Sequence, residues 1–189
     1  MGCCSSNTSA AAALEVQGTA PPAIGIPSNL RGANVEMNAG DPLTVSGQGA
    51  AMASAPIEQD AAYFEVKIIK PGAISIGVSR KLSAEELESG ISKPDGESKE
   101  LPRSWVYSSH VAEGDVIGVA FSQADIPNLS FTKNGSPERK FDVKKIGGMV
   151  FPVVSVGDGA SLKCVFEASD FANSPPARFS ALMVAQSVL

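Results

Sequence analysis

Gly2, Cys3 and Cys4 have the residue types and the spacing for acyl transfer. The opening Met1-Gly-Cys-Cys-Ser-Ser6 fits M-G-x-x-x-[ST]: Gly2 becomes the acceptor amine once Met1 is removed, and Ser6 holds the position favoured for N-myristoylation. Glycine is needed because the acylated amine must enter a narrow site with no side chain in the way. One myristoyl chain binds a bilayer only marginally, so stable anchoring takes a second signal. Glu15 is the only charged residue between Met1 and Leu30, so that signal is not a polybasic patch. The adjacent thiols of Cys3 and Cys4 supply it instead, as S-palmitoylation sites. The sequence therefore predicts a lipid-anchored chain at the cytoplasmic face of the plasma membrane or an endomembrane. No basic segment followed by an apolar run of roughly 7–15 residues marks a secretory signal peptide. Asn7-Thr8-Ser9 and Asn128-Leu129-Ser130 are accordingly expected to stay unglycosylated, and Cys164 to be a reduced, buried thiol.

Other reactive residues are sparse. His110 is the single histidine, and Cys164 is its one thiol candidate in the body of the chain. A thiol–imidazole catalyst also needs an orienting carboxylate, and the surroundings of these two residues match no protease signature. No catalytic role is expected. Two acylation cysteines and one core thiol leave no zinc spacing. Gly147-Gly148 and Gly157-Asp-Gly159 lack the Lys-Ser/Thr of a phosphate loop and read as turns. No metal or cofactor is expected. The formal net charge of -5 over 189 residues provides no field to gather nucleic acid.

The elements that must carry these residues follow from composition. Residues 1–31 are rich in Ala, Ser, Gly and Pro and read as a flexible tether, with an r.m.s. span of about 30 Å. Residues 32–172 show short runs of period two. Phe64, Val66 and Ile68 alternate within Tyr63–Ile69, and Ile74, Ile76 and Val78 alternate in the next strand. Further strands are expected at Ser104–Ser109, Asp115–Phe121, Leu129–Lys133, Arg139–Val143, Met149–Val156 and Ser161–Glu167, and weaker ones at Asn34–Met37 and Leu43–Val45. Asp115–Phe121 is almost continuously apolar, as in a strand covered on both faces. Asn134-Gly135 is a strong hairpin signal because both residues tolerate positive φ. Only Ala84–Glu88 reads as helical in this stretch. The pattern indicates an all-β, antiparallel sandwich. Residues 173–189 form a tail in which Phe179–Leu189 suits a short helix packed back on the sandwich. Ser187-Val188-Leu189 also fits a carboxyl-terminal PDZ ligand.

Ala62-Tyr-Phe-Glu-Val-Lys-Ile68, followed by Ile74-Ser-Ile-Gly-Val78, resembles the opening strands of the SPRY domain family. Ser104-Trp-Val-Tyr107, Gly114-Asp-Val-Ile-Gly-Val119, Ser130-Phe-Thr-Lys-Asn-Gly135 and Phe151-Pro-Val-Val154 are similar to its later motifs, in its order, and Val165-Phe166-Glu167 to its last strand. The resemblance covers about Asn34 to Phe171. It implies a bent β-sandwich that binds protein partners through loops along one rim, without catalysis. Trp105 is expected in the core, and Tyr107 either in the core or on that rim.

Departures from the family pattern fall on loops: the acidic connection Lys81–Arg103, a shortened stretch after Tyr107, Pro127 before the hairpin strand, and the acidic turn Gly157-Asp158-Gly159. Partner specificity is therefore not inherited. From loop placement, the candidate partner-binding residues are Arg80, Arg103, Tyr107, Asp125 and Asp158, with the two arginines suited to charge-assisted bonds. Lys133, Arg139, Lys140, Lys144 and Lys145 gather around the hairpin in sequence, either as a solvated face or as a contact for anionic lipid. The function expected is a membrane-tethered module that binds a protein or peptide. The alternative is a structural subunit of a larger complex with no dedicated peptide site.

Overall fold

The computed structural model describes residues 23–91 and 103–184. Gly2, Cys3, Cys4, the middle of the acidic connection and Ser187-Val188-Leu189 lie outside the described residues. The strands are β1 (Val35–Asn38), β2 (Asp41–Gly47), β3 (Gly49–Met52), β4 (Ala61–Lys70), β5 (Ala73–Ser79), β6 (Ser104–Tyr107), β7 (Val116–Ser122), β8 (Asn128–Lys133), β9 (Ser136–Pro137), β10 (Val143–Lys144), β11 (Phe151–Gly157), β12 (Ser161–Val165) and β13 (Ser180–Ala181), with one α-helix among the described residues, α1 (Ala84–Ser89). They form two sheets. The larger runs β1-β2-β12-β4-β7-β8-β10, with β13 beside β4 and β9 beside β8; the smaller runs β3-β11-β5-β6. All pairings are antiparallel except that of β13 with β4.

Side-chain alternation explains the layers. Phe64, Val66 and Ile68 of β4 point between the sheets and meet Ile76, Val78, Val154 and Val156 of the smaller sheet in one core. Both faces of β7 are covered, as its apolar run requires. On its outer side Gly118 is needed for space, because a Cβ there would collide with the Tyr63 hydroxyl and Thr132 Oγ1. The outer face of the smaller sheet is covered by α1, whose Leu87 joins Leu82 over Ala50, Met52 and Val153. A capping box starts that helix: Ser83 N donates to Glu86 Oε2 at 2.7 Å and Glu86 N to Ser83 Oγ at 3.2 Å. Gly90, with φ +77, ends it.

Several elements differ from expectation. Residues 23–31, assigned to the tether, pack onto the sandwich: Ile24 and Ile26 are buried, and Arg31 bridges Ala51. The Gly-Ala-Ala-Met strand β3 carries no strand propensity, and forms because β11 pairs with one edge and α1 covers its face. Arg139–Phe141 is a 3-10 turn, and the strand that follows is only Val143–Lys144. At the start of the expected C-terminal helix, Ser180–Ala181 form the parallel strand β13, held because the Gln59 amide donates to Ser180 Oγ at 3.0 Å and to the Ala181 carbonyl at 3.0 Å. Residues 185–189 lie outside the described residues.

The outer face of the larger sheet hides a charge. Glu65 is 1% exposed, at the centre of β4. Its carboxylate accepts from the Tyr63 hydroxyl at 2.9 Å, Ala172 N at 2.6 Å, Asn173 N at 2.9 Å and Asn173 Nδ2 at 3.1 Å. Desolvation and the neighbouring Glu65 push the Tyr63 phenol well above its ordinary value, so it stays a donor at neutral pH. Phe171 closes the site edge-on against the Tyr63 ring, with centroids 5.1 Å apart. Removing the acceptor strands these donors. Glu65→Ala is expected to lower stability by about 3 kcal/mol, and to speed amide exchange at Ala172 and Asn173 far more than at Val119. Equal acceleration at all three amides would refute this local role.

Candidate interaction surface

Antiparallel pairing divides the loops between two ends of the sandwich. At one, the near end, Ala61 pairs with Ser122, Ser122 with Asn128, and Asn128 with Lys144. Ser79 pairs with Phe151 and Ser104 there in the smaller sheet. This end therefore carries the loops 53–60, 80–83, 123–127 and 145–150, and hydrogen bonds join them. Ile57 N donates to the Val150 carbonyl at 2.9 Å, Gln123 Nε2 to the Ile57 carbonyl at 2.8 Å, and Lys145 N to the Pro127 carbonyl at 2.7 Å. At the far end lie the Asn134-Gly135 hairpin and the turn at Asp158, both with positive φ.

The five candidate partner-binding residues separate accordingly. Arg80, Arg103 and Asp125 share the near end, whereas the exposed Asp158 sits at the far end. Tyr107 belongs to neither rim. It is 1% exposed in the core, with ring centroids 4.5 Å from Phe141 and 5.8 Å from Phe131. Burial raises its phenol pKa. Its removal from the candidate surface is a correction with a clear cause: the Arg139–Phe141 turn folds Phe141 over the end of β6. Trp105 is half-buried and packs against the same core.

Both arginines are engaged within the chain. Arg80 donates from its guanidinium to the Gly147 carbonyl at 3.1 Å, and Arg103 donates to the Lys81 carbonyl at 2.9 Å and to Glu86 at 3.3 Å. The Arg103–Glu86 pair is exposed and contributes little to stability. Asp125 stands differently. It lines an open cleft of about 750 Å³ with Asp60, Gln123, Asn128, Arg178 and Phe179. Neither Asp60 nor Asp125 has an ion-pair partner among the described residues. Arg178 holds φ +78, a conformation that costs a long side chain about 1–3 kcal/mol. Sequence reasoning found Asp125 but missed Asp60 and Arg178, because the cleft wall at 177–179 depends on where the tail returns. The cleft offers carboxylates, amides, a guanidinium and one ring, a set suited to an extended peptide bearing a cation.

His110 and Cys164 are not brought together. His110 is exposed beside a far-end cleft lined by Pro71, Gly72, Ser108 and Ser109, and Cys164 is in the core between the sheets. Burial pushes the thiol up to about 12, so it carries no thiolate at neutral pH. Among the described residues, no group of three His, Cys, Asp or Glu side chains is placed to hold a metal ion.

At the far end, Asp115 binds three donors: Ala112 N at 2.7 Å, Lys133 Nζ at 2.8 Å and Asn134 Nδ2 at 2.8 Å. These bonds, the backbone one first, bring its carboxyl down to about 2 from an ordinary 3.8. The folded value lies below the unfolded one, so the stabilisation is full above pH 3.8 and is lost as pH falls through about 2. Asp115→Asn is therefore expected to unfold at lower urea than the parent at neutral pH, with the gap closing across that acid window. A gap that stays constant to pH 2 would contradict the assignment.

A SPRY domain model matches residues 61–169. Over 158 aligned residues the chain is 32% identical to SPRY domain-containing protein 7 of Homo sapiens and 30% identical to that of Gallus gallus, covering 76% of each chain in both cases. Among solved structures it is similar to the TRIM65 PSpry domain, with a TM-score of 0.52, 10% identity and coverage of 75% of this chain and 89% of that one, a likeness of fold alone. The family match begins at β4 and takes in Glu65, both hairpin strands and the loops 80–83, 123–127 and 145–150, but not the loop 53–60 or the cleft wall at 177–179. On this sequence match, carried by two antiparallel sheets, the chain belongs to the SPRY domain family, whose domains are generally protein–protein interaction modules.

Proposed function

We propose that this SPRY domain chain is an interaction module held at the cytoplasmic face of a membrane by acyl groups on Gly2, Cys3 and Cys4, and that it binds a protein or peptide partner in the near-end cleft. The observation that carries the partner site is the pair Asp60 and Asp125, two exposed carboxylates without ion-pair partners among the described residues, facing one cleft with Arg178. A partner segment with a Lys or Arg side chain satisfies the carboxylates, and a partner carboxylate or carbonyl satisfies Arg178. Arg80 and Arg103 take a lesser part, since binding through them means giving up bonds they already make. The acyl anchor rests on the opening hexapeptide. Anchoring raises the effective concentration of the domain toward membrane-resident partners, so modest affinity in the cleft suffices.

The two halves of this assignment are separable by experiment. Gly2→Ala is expected to move the protein from the membrane to the soluble fraction in cells, and unchanged fractionation would remove the anchor. Asp60→Asn with Asp125→Asn is expected to leave fractionation intact while the partner set found by proximity labelling from the full chain is lost. An unaltered partner set would remove the cleft from the site.

A further inference from the structure

The large apolar side chains left in solvent are not scattered. Among the described residues Met149 is 61% exposed, Met183 59%, Ile126 57% and Ile69 41%. Ile69, the least exposed, lies toward the far end of β4; the other three are at the near end. Ile126 precedes Pro127, whose carbonyl accepts from Lys145 N, and Met149 precedes Val150, whose carbonyl accepts from Ile57 N. Met183 N donates to Gln59 Oε1 at 2.8 Å. The N-terminal segment joins the sandwich at this same end. Gly25 N donates to Ser54 Oγ at 3.2 Å, Ser54 N donates to the Gly25 carbonyl at 2.8 Å, and Ile24 is buried just before.

The basic residues divide in the same way. Of the five that cluster in sequence around the hairpin, Lys133 is at the far end, bound to Asp115 and donating to the His110 carbonyl at 3.2 Å. Lys140 lies 3.7 Å from Glu138 and 4.9 Å from the centre of the Phe141 ring. Lys144 and Lys145 are at the near end, exposed and without ion-pair partners among the described residues, flanked by Ile126 and by the loop that holds Met149. Of the near-end acids, Asp60 and Asp125 line the cleft, while Glu58 is exposed on the loop 53–60.

From this arrangement we infer that the near end of the sandwich rests on an anionic bilayer surface, with Ile126 and Met149 entering the headgroup region and Lys144 and Lys145 meeting lipid phosphates and carboxylates. The apolar groups are separate protrusions on two loops rather than one flat patch. A deformable lipid surface accepts separate protrusions, whereas a rigid protein partner needs matching pockets. Each lysine near such a surface contributes through its charge, and the attraction fades within a Debye length. This contact belongs to the folded domain and does not depend on acylation. It deepens the proposed membrane placement by fixing which end of the domain faces the lipid.

The test uses the full chain made in a host without N-myristoylation, so that the anchor and the contact are read separately. It is sedimented with vesicles of phosphatidylcholine alone and with phosphatidylserine added. The unacylated chain is expected to bind only the anionic vesicles, and less as salt rises. Lys144→Ala with Lys145→Ala is expected to cut the partition coefficient by about tenfold or more. Ile126→Ser with Met149→Ser is expected to weaken it several-fold with the melting temperature unchanged. Lys67→Ala with Lys70→Ala, away from the near end on β4, is expected to leave it as it is. Absence of binding, equal binding to both vesicle types, or equal loss in the Lys67/Lys70 variant would overturn the inference, whatever Gly2→Ala does in cells.

Discussion

One buried carboxylate organises much of this molecule. A charge at 1% exposure survives only where donors replace its lost water, and Glu65 takes three of its four from residues 172 and 173. The chain leaving β12 must therefore cross the outside of the larger sheet, where Phe171 settles against the Tyr63 ring. Only from there can Ala177–Phe179 form a wall of the near-end cleft and Ser180–Ala181 take a place beside β4. The position of Arg178, and through Gln59 that of Met183, is a consequence of satisfying Glu65. A residue in the middle of a strand thus sets the shape of a surface at its end.

The two ends of the sandwich differ in how far their polar groups are already satisfied. At the far end Asn134 and Gly135 turn with positive φ, and Asp115 binds Lys133, Asn134 and a backbone amide. A partner that engages Asp115 or Lys133 there has to break these bonds first. At the near end the backbone amides of the loops bond one another, which fixes the loops, while Asp60, Asp125, Lys144 and Lys145 remain outward. Rigid loops with unspent charge bind at low ordering cost. Arg80 and Arg103, attractive on residue type alone, are weakened as binding groups by their bonds to Gly147, Lys81 and Glu86.

Alternation made most of the sandwich legible before the structure. Phe64, Val66 and Ile68 could share a face only in a strand, and Asn134-Gly135 suits little besides a tight hairpin. What escaped is tertiary in origin. β3 is Gly-Ala-Ala-Met and is a strand only because β11 and α1 surround it. Tyr107 on an edge strand was as compatible with the rim as with the core until Phe141, from a turn more than thirty residues on, closed over it. The lysines show the same limit more sharply. Lys133 and Lys144 fall in one basic stretch of sequence, yet β8 runs between their positions, and its length separates them by about 17 Å. A cluster read along the chain became two unrelated sites. Glu65 did leave a signal, a Tyr and a Glu two apart on the outward face of an apolar strand, but its other partners, Ala172 and Asn173, lie more than a hundred residues away.

An acyl tether and a surface contact answer different physical needs. A flexible segment confines a domain to the neighbourhood of the bilayer but leaves its orientation free, because a random coil transmits no torque. Orientation has to come from the folded surface. Two lysines and two exposed apolar side chains give the folded domain a modest affinity of its own for anionic lipid, and a tether would add to it by supplying a high effective concentration. The segment at Gly25 meets the sandwich beside Ser54, on the end that displays Ile126 and Met149. A tether attached at the far end would have to span the length of the sandwich before those residues reached the lipid. A tether of the proposed kind, joined at Gly25, would deliver them directly, and the Asp125 cleft at the same end would then face partners lying along the bilayer.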